Sequence, residues 1–323
     1  MKVKLVAILL AAAAPASAAP PTYFDYPTKP VRIVVGATPG ETNDLLARIV
    51  APSLANFLKR PFLINNEPGG NGSRAATLVA KAPPDGHMVL LVSASFATSV
   101  SLYPNPGYHP ERDFTPIARL ASFPQVLIVQ SSLKLGTLPE FISLVRATPG
   151  RVAIASTGTG TISHLTAELM KLQAGWLNAL HVPYRGSAQA LAGLLGNHVQ
   201  ALITNASTAQ VHLRTGRVRA LAVATAERLP SLPNVPTFAQ AGVPGVEASG
   251  WTGIVAAAGT PYEPIVRLSV AIAEAMSTPA VVERFASQGA QTVREGPEDF
   301  GRYLHHEVER WAKVVKASGI GPE

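Results

Sequence analysis

Val31-Arg32-Ile33-Val34-Val35-Gly36-Ala37-Thr38-Pro39-Gly40-Glu41-Thr42-Asn43-Asp44 is the stretch that decides the fold. A short run rich in β-branched residues enters a turn of glycines and hydroxyls. Leu45, Leu46, Ile49, Val50, Leu54 and Phe57 then recur at helical spacing. The same order returns later: Val152-Ala153-Ile154 leads into Ala155-Ser156-Thr157-Gly158-Thr159-Gly160-Thr161-Ile162-Ser163-His164. The first N–H groups of a helix have no intrahelical partner, and the helix dipole places partial positive charge there. A turn feeding such a terminus suits an anion. Two of them, in separate halves of the chain, predict a small carboxylate or similar anion gripped between two lobes. That arrangement describes a binding protein better than a catalyst.

Strand-like and helix-like runs alternate outward from these turns. Phe62-Leu63-Ile64 reads as a strand, Pro68 to Ser73 as a loop, Arg74 to Ala80 as a helix and Met88 to Val92 as a strand ending at Ser93-Ala94-Ser95. Ile117 to Ala121 and Val126 to Val129, around Phe123-Pro124, mark the crossing into a second lobe. There follow Leu138 to Ala147 (helix), Val152 to Ala155 (strand), His164 to Gln173 (helix), Leu180 to Val182 (strand), Ala188 to Leu195 (helix) and Ala201 to Thr204 (strand). Leu221 to Ala224 is expected to return to the first lobe, with Leu229 to Pro236 an extended surface connection. Helices are expected at Pro264 to Met276, Pro279 to Ser287 and Pro297 to Ala317, with proline near each start. Alternating βαβ units predict parallel sheets covered by helices, with ligands at the carboxyl ends of strands. The turns at Thr38, Ser93 and Ser156 all fall there.

Composition narrows the classes. Lys2 and Lys4, the apolar run Leu5 to Ala14 and Ala16-Ser17-Ala18 read as a secretory signal over residues 1–18, cleaved after Ala18, with the protein delivered to the periplasm. The apolar run is too short to span a bilayer. Cysteine is absent, which excludes disulfides, thiolate metal sites and thiol chemistry. The formal charge is +7; without Lys2 and Lys4 it is 25 basic against 20 acidic residues. These charges are scattered rather than clustered into a nucleic-acid footprint.

Several strings resemble, in order and in spacing, the solute-binding receptors of tripartite tricarboxylate transporters, the Bug family. They include Pro39-Gly40 with Asp44-Leu45-Leu46-Ala47-Arg48, Pro84-Asp85-Gly86, Tyr108-His109-Pro110 with Asp113-Phe114-Thr115-Pro116, Ser156 to Gly160 with Ser163-His164-Leu165, Val182 to Ser187, Arg219 to Val223 and Leu232 to Thr237. The resemblance runs from Tyr26 to Val315. It implies a type II periplasmic binding protein fold: two α/β lobes with a hinge and a ligand cleft between them. It implies lobe 1 at residues 25–121 plus 228–323 and lobe 2 at 122–227. It also implies a pincer in which both turns hold one ligand carboxylate through backbone amides, hydroxyls and waters, with delivery of a mono- or dicarboxylate, including aromatic acids, to membrane permease subunits. The alternative partner is the ectodomain of a membrane signalling protein. No cofactor, metal or nucleic acid is expected, and the receptor is expected to be a monomer.

Two positions depart from the resemblance. Glu41 stands where the family usually carries a second glycine, and a carboxylate at an anion site repels another unless it points outward or meets a cationic group. Thr204 stands where amino-acid-binding members tend to have an aspartate, so an α-amino acid is a poorer fit.

The expected ligand-binding set is Thr38, Pro39, Gly40, Glu41, Thr42, Ser93, Ser95, Ser156, Thr157, Gly158, Thr159, Gly160, Thr161, Tyr184, Gly186, Thr204, Asn205 and Trp251. Glycines permit close backbone approach and hydroxyls donate to carboxylate oxygens. Asp44 and His164, inside the first turn of their helices, are expected to orient the turns. Trp251 is either a core residue of the hinge region or a pocket wall. Catalysis is not expected: there is no Gly-x-Ser-x-Gly, His-Glu-x-x-His, phosphate-binding loop or Gly-x-Gly-x-x-Gly. His305 and Glu309, four apart, are expected on a solvated helix face.

Overall fold

The computed structural model describes residues 26–321, so the signal segment 1–18 lies outside the described residues. The first turn's flanks form as read, with β1 (Val31–Val35) and α1 (Thr42–Leu58). There follow β2 (Phe62–Asn66), α2 (Ser73–Ala80), β3 (Met88–Ser93), α3 (Ala94–Leu102) and the 17-residue β4 (Phe114–Gln130). The middle of the chain gives α4 (Leu138–Ala147), β5 (Ala153–Ser156), α5 (Ile162–Gln173), β6 (Leu180–Pro183), α6 (Ser187–Leu195), β7 (Ala201–Asn205), α7 (Ala206–Arg214) and β8 (Val218–Val223). The last part supplies β9 (Ser249–Ala257), α8 (Tyr262–Ala275), α9 (Pro279–Ser287), β10 (Gln291–Glu295) and α10 (Pro297–Ser318).

The sheet order is β2-β1-β3-β9-β4-β7-β5-β6, with β8 and β10 also on β4. β1 is parallel to β2 and β3, and β5 is parallel to β6 and β7. β4 joins the halves. Phe114 to Pro124 pairs antiparallel with β9, whereas Gln125 to Gln130 pairs with β7 and β8. The handover falls at Phe123-Pro124, where a residue without an N–H is tolerated because one partner strand ends. The expected crossing is thus one continuous strand. The return crossing differs from expectation: β8 stays on the second half of β4, and β9 is the strand that rejoins the first half.

Each half buries both faces of its sheet, which is why β1, β3, β5 and β7 read as apolar runs. Val31, Ile33 and Val35 face one core while Val34 faces the other. Ile154 and Ile203 likewise oppose Ala155 and Leu202. α10 contributes to both halves: Phe300 and Leu304 pack in the first, Trp311, Val314 and Val315 in the second. Phe238, Val243 and Val246 also pack in the second. Between them Glu307, 1% exposed, accepts the indole N–H of Trp251 from β9 and of Trp311, each at 3.0 Å. Hydrogen bonds to a charged group contribute about 1.5–3 kcal/mol each, so this carboxylate pins the helix where the halves meet.

Candidate ligand-binding site

Four helices begin at one place. A cavity of about 270 Å³ is bordered by Thr42 and Asn43 of α1, Ser93 and Ala94 at the start of α3, Thr161 and Ile162 at the start of α5, and Asn205 before α7. Asn71, Ser95, Thr157, Trp251 and Thr252 complete much of its wall. The N-cap residues Glu41, Ser93 and Asn205 make no side-chain capping bond to their own helices. Only Thr161 caps, accepting from the His164 N–H at 3.4 Å. Converging helix dipoles without side-chain caps offer N–H groups and positive potential to an anion. No Lys, Arg or His borders this cavity among the described residues.

A second cavity of about 380 Å³ adjoins it within the first half and shares Asn43, Asn71, Ser93 and Ser95. Thr38 and Glu41 border this one. Thr38 donates its hydroxyl to Glu41 Oε1 at 2.5 Å. The loop carrying Asn71 presses on the first turn: a Cβ added at Gly36 would lie 2.7 Å from the Gly72 Cα, so backbone contact holds Gly36 to glycine, while Gly72 is favoured by its φ of +92°.

Each turn is latched by a side chain four residues on. Gly40, at φ +90°, donates its N–H to Asp44 Oδ2 at 2.8 Å. Arg48 Nε, at 2.9 Å, and Asn66 Nδ2, at 2.9 Å, also donate to that carboxylate. Burial alone would raise the Asp44 carboxyl; the bonds from Arg48, Gly40 and Asn66 outweigh it and hold it below the usual carboxylate range. Gly160, at φ +72°, donates its N–H to His164 Nδ1 at 3.1 Å. Burial first, then the neighbouring His181 and Lys171, push His164 down to about 3, so it is the neutral ring that accepts. Its ring stacks on His181 at 3.6 Å between centroids, and His181 Nε2 lies 2.7 Å from Ser156 Oγ. Asp44 and His164 therefore orient the turns, as their positions suggested.

The expected residues distribute unevenly. Thr42, Ser93, Ser95, Thr157, Thr161, Asn205 and Trp251 border the shared cavity, and Thr38 and Glu41 the adjoining one. Pro39 and Gly40 are exposed at the turn and border neither. Ser156 is fully buried and its hydroxyl faces His181 and Gly158. Gly158, Thr159 and Gly160 form the second turn behind Thr157 and Thr161, and Gly186 donates its N–H to the Thr157 carbonyl at 3.2 Å. Tyr184 leans on α6, its ring against Gly193. Thr204 is fully buried and borders neither cavity, and its hydroxyl is unpartnered. Trp251 is 1% exposed with its N–H on Glu307, so it backs the cavity wall from the core.

Asn43, Asn71 and Thr252 border the cavities without having been singled out from sequence. Asn43 is the next residue after the turn and Asn71 lies in the glycine loop; Thr252 donates to Asn43 Oδ1 at 3.4 Å. The expected solvated pair behaves so: His305 is exposed, meeting Glu111 at 2.7 Å and Glu309 at 3.6 Å.

Two α/β halves joined through β4 and β9, with helix N-termini converging between them, define the class of periplasmic binding proteins. A structure of the periplasmic binding protein BugD matches with a TM-score of 0.74 at 32% identity, covering 92% of this chain and 100% of that one. The model of the tripartite tricarboxylate transporter family receptor matches residues 46–320, and the chain belongs to that family. It is 37% identical over 304 residues to protein BugT of Bordetella pertussis, covering 94% of this chain and 93% of BugT. The R. palustris protein Rpa4515, solved with adipate, matches with a TM-score of 0.78 at 36% identity over 93% of this chain and 100% of its own.

Proposed function

We propose that this chain is a periplasmic receptor that captures a small organic carboxylate and hands it to the permease subunits of a tripartite transporter. The observation that carries the reading is the convergence of four helix N-termini, three without side-chain caps, on one cavity bordered by no charged side chain. Such a site neutralises one carboxylate with N–H dipoles rather than with a cation. The adipate bound by the R. palustris relative supports a carboxylate as the ligand. A receptor with this role is exported through residues 1–18 and acts as a monomer. Residues 25–121 with 228–323, and residues 122–227, would move as lobes about β4 and β9, with the segment of Phe238, Val243 and Val246 carried by the second lobe and α10 in contact with both.

The test is native mass spectrometry on protein purified from the periplasm without denaturation, followed by a thermal-shift panel of mono-, di- and aromatic carboxylates. A carried or panel acid that raises Tm is the expected result; a panel in which no carboxylate does so overturns the reading. Gly158→Val then tests the second turn. Gly158 has φ +140°, and its added Cβ would sit 3.5 Å from the Tyr184 carbonyl oxygen. Strain of about 1–3 kcal/mol should displace Thr157 and weaken acid binding at least about tenfold. Unchanged affinity would remove that turn from the site.

A further inference from the structure

The second cavity has a chemical polarity opposite to that of the first. Its hydroxyl donors are already engaged. Thr38 donates to Glu41, Tyr108 donates to the Phe96 carbonyl at 3.0 Å, and Ser95 reaches the Asn71 carbonyl at 3.4 Å. Asn43 accepts from Thr252 through its Oδ1, so the neutral amide N–H groups of Asn43 and Asn71 remain as donors beside Glu41. Among the described residues the one charged side chain bordering this space is the Glu41 carboxylate, and no Lys, Arg or His borders either cavity. One end of the cleft thus favours an anion and the other, reached past Asn43 and Asn71, favours a hydrogen-bond donor or a positive charge.

Resting on the reading above, we infer that Glu41 sets the specificity of this receptor: its ligand is an acid with one carboxylate and, at its far end, an N–H-bearing group, an ammonium or primary amide. A linear dicarboxylate would bring its second charge against Glu41, with no cation to offset the repulsion. The donor belongs at the far end rather than beside the carboxylate. Thr204, which is uncharged and fully buried near the first cavity, supplies no acid to an α-ammonium group.

The test is titration calorimetry with two chain-matched series: succinate, succinamate and 4-aminobutanoate; and adipate, its monoamide and 6-aminohexanoate. Wild-type protein should bind the N–H-ended acid of at least one length about tenfold or more tightly than the matched diacid, a preference that shrinks with added salt. Glu41→Gln, which keeps the side-chain shape at an exposed position, should lose most of the ammonium preference and gain diacid binding. Glu41→Gly should do the same without introducing a new amide. Equal diacid affinity in wild type and both variants overturns the inference and leaves the carboxylate receptor standing. So does a wild type that binds other carboxylates of the panel but no N–H-ended acid of either length. If no carboxylate of any kind binds, the receptor reading falls with it.

Discussion

The two turns use one backbone device with opposite electrical character. In each, a glycine in the left-handed region gives its N–H to the side chain four residues later. In the first turn that side chain is a carboxylate, itself held by Arg48 and Asn66, and the turn above it is exposed. In the second it is a neutral imidazole in the core, stacked on another. A turn backed by Asp44 and flanked by Glu41 has less positive potential to offer an anion than its geometry suggests. In the second turn no carboxylate accepts from the turn or stands at the cap: Glu168 lies behind the latch, 3.7 Å from His164 Nε2, and is paired with Lys171 at 2.8 Å. The second turn should therefore contribute more to holding the carboxylate, and the first should contribute more to choosing the ligand.

The largest effect expected from breaking this comparison comes at Asp44. Asp44→Ala leaves the Gly40 N–H without its partner, leaves Asn66 Nδ2 only the Ala37 carbonyl, and releases Arg48, which is half exposed and can turn to water. A loss of about 2–3 kcal/mol in urea unfolding is expected. Asp44→Asn keeps an acceptor for Gly40 and removes the charge, so it should cost less stability. It should also tighten anion binding, because the repulsion behind the first turn disappears. If Asp44→Asn weakened binding of the acid identified by the panel, the electrical distinction between the turns would be wrong.

Much of this pair was legible in the sequence because each turn sits between a β-branched run and a helix of clear period. The other two helix starts were not. α3, Ala94–Leu102, is Ser/Thr/Ala-rich and buried on several sides, so no amphipathic stripe announces it. α7, Ala206–Arg214, is polar and short. Ser93-Ala94-Ser95 and Asn205 were legible as strand ends but not as caps of helices, and the fourfold convergence depends on the order in which β3 and β7 join β9 and β4. β10, Gln291–Glu295, is a polar strand held only by β4, and its alternation is too short to stand out. The return crossing was misplaced for a related reason. β8 and β9 are both apolar, and only pairing along different lengths of β4 separates them.

A middle-sized effect should separate the turns by pH. His164 sits at about 3 in the folded protein against an ordinary 6.5, so between these values the unfolded chain binds the extra proton. Stability contributed by the neutral ring is present above about 6.5 and is lost as pH falls toward 3, at up to about 1.4 kcal/mol per pH unit. Asp44, held below the ordinary carboxylate range, contributes stability that is lost only at more acid pH. Urea midpoints between pH 7 and 4.5 should fall in the wild type and flatten in His164→Gln, while Asp44→Asn keeps the slope. An unchanged slope in His164→Gln would show that the latch of the second turn does not titrate as a neutral base.

The smallest effect belongs to Thr204, next to Asn205 of the cavity wall, and it asks whether a buried neighbour of that wall takes part in binding. The Thr204 hydroxyl is fully buried on β7, opposite Val126 of β4, and has no hydrogen-bond partner. Leaving a buried hydroxyl unpaired costs about 1–3 kcal/mol, whereas replacing it by an apolar group of the same shape removes that cost. Thr204→Val should therefore leave the ligand-free protein as stable as before, or stabilise it by up to about 1 kcal/mol in urea unfolding. Beside it, Gln125 Nε2 donates to Asn205 Oδ1 at 2.6 Å while its own Oε1 lacks a partner. Successive strand residues face opposite sides, so Thr204 shares the face of Leu202, and Asn205 with Gln125 that of Ile203. If acid affinity in Thr204→Val falls while stability holds, the Thr204 hydroxyl takes part in binding. If neither changes, recognition rests on the helix starts alone.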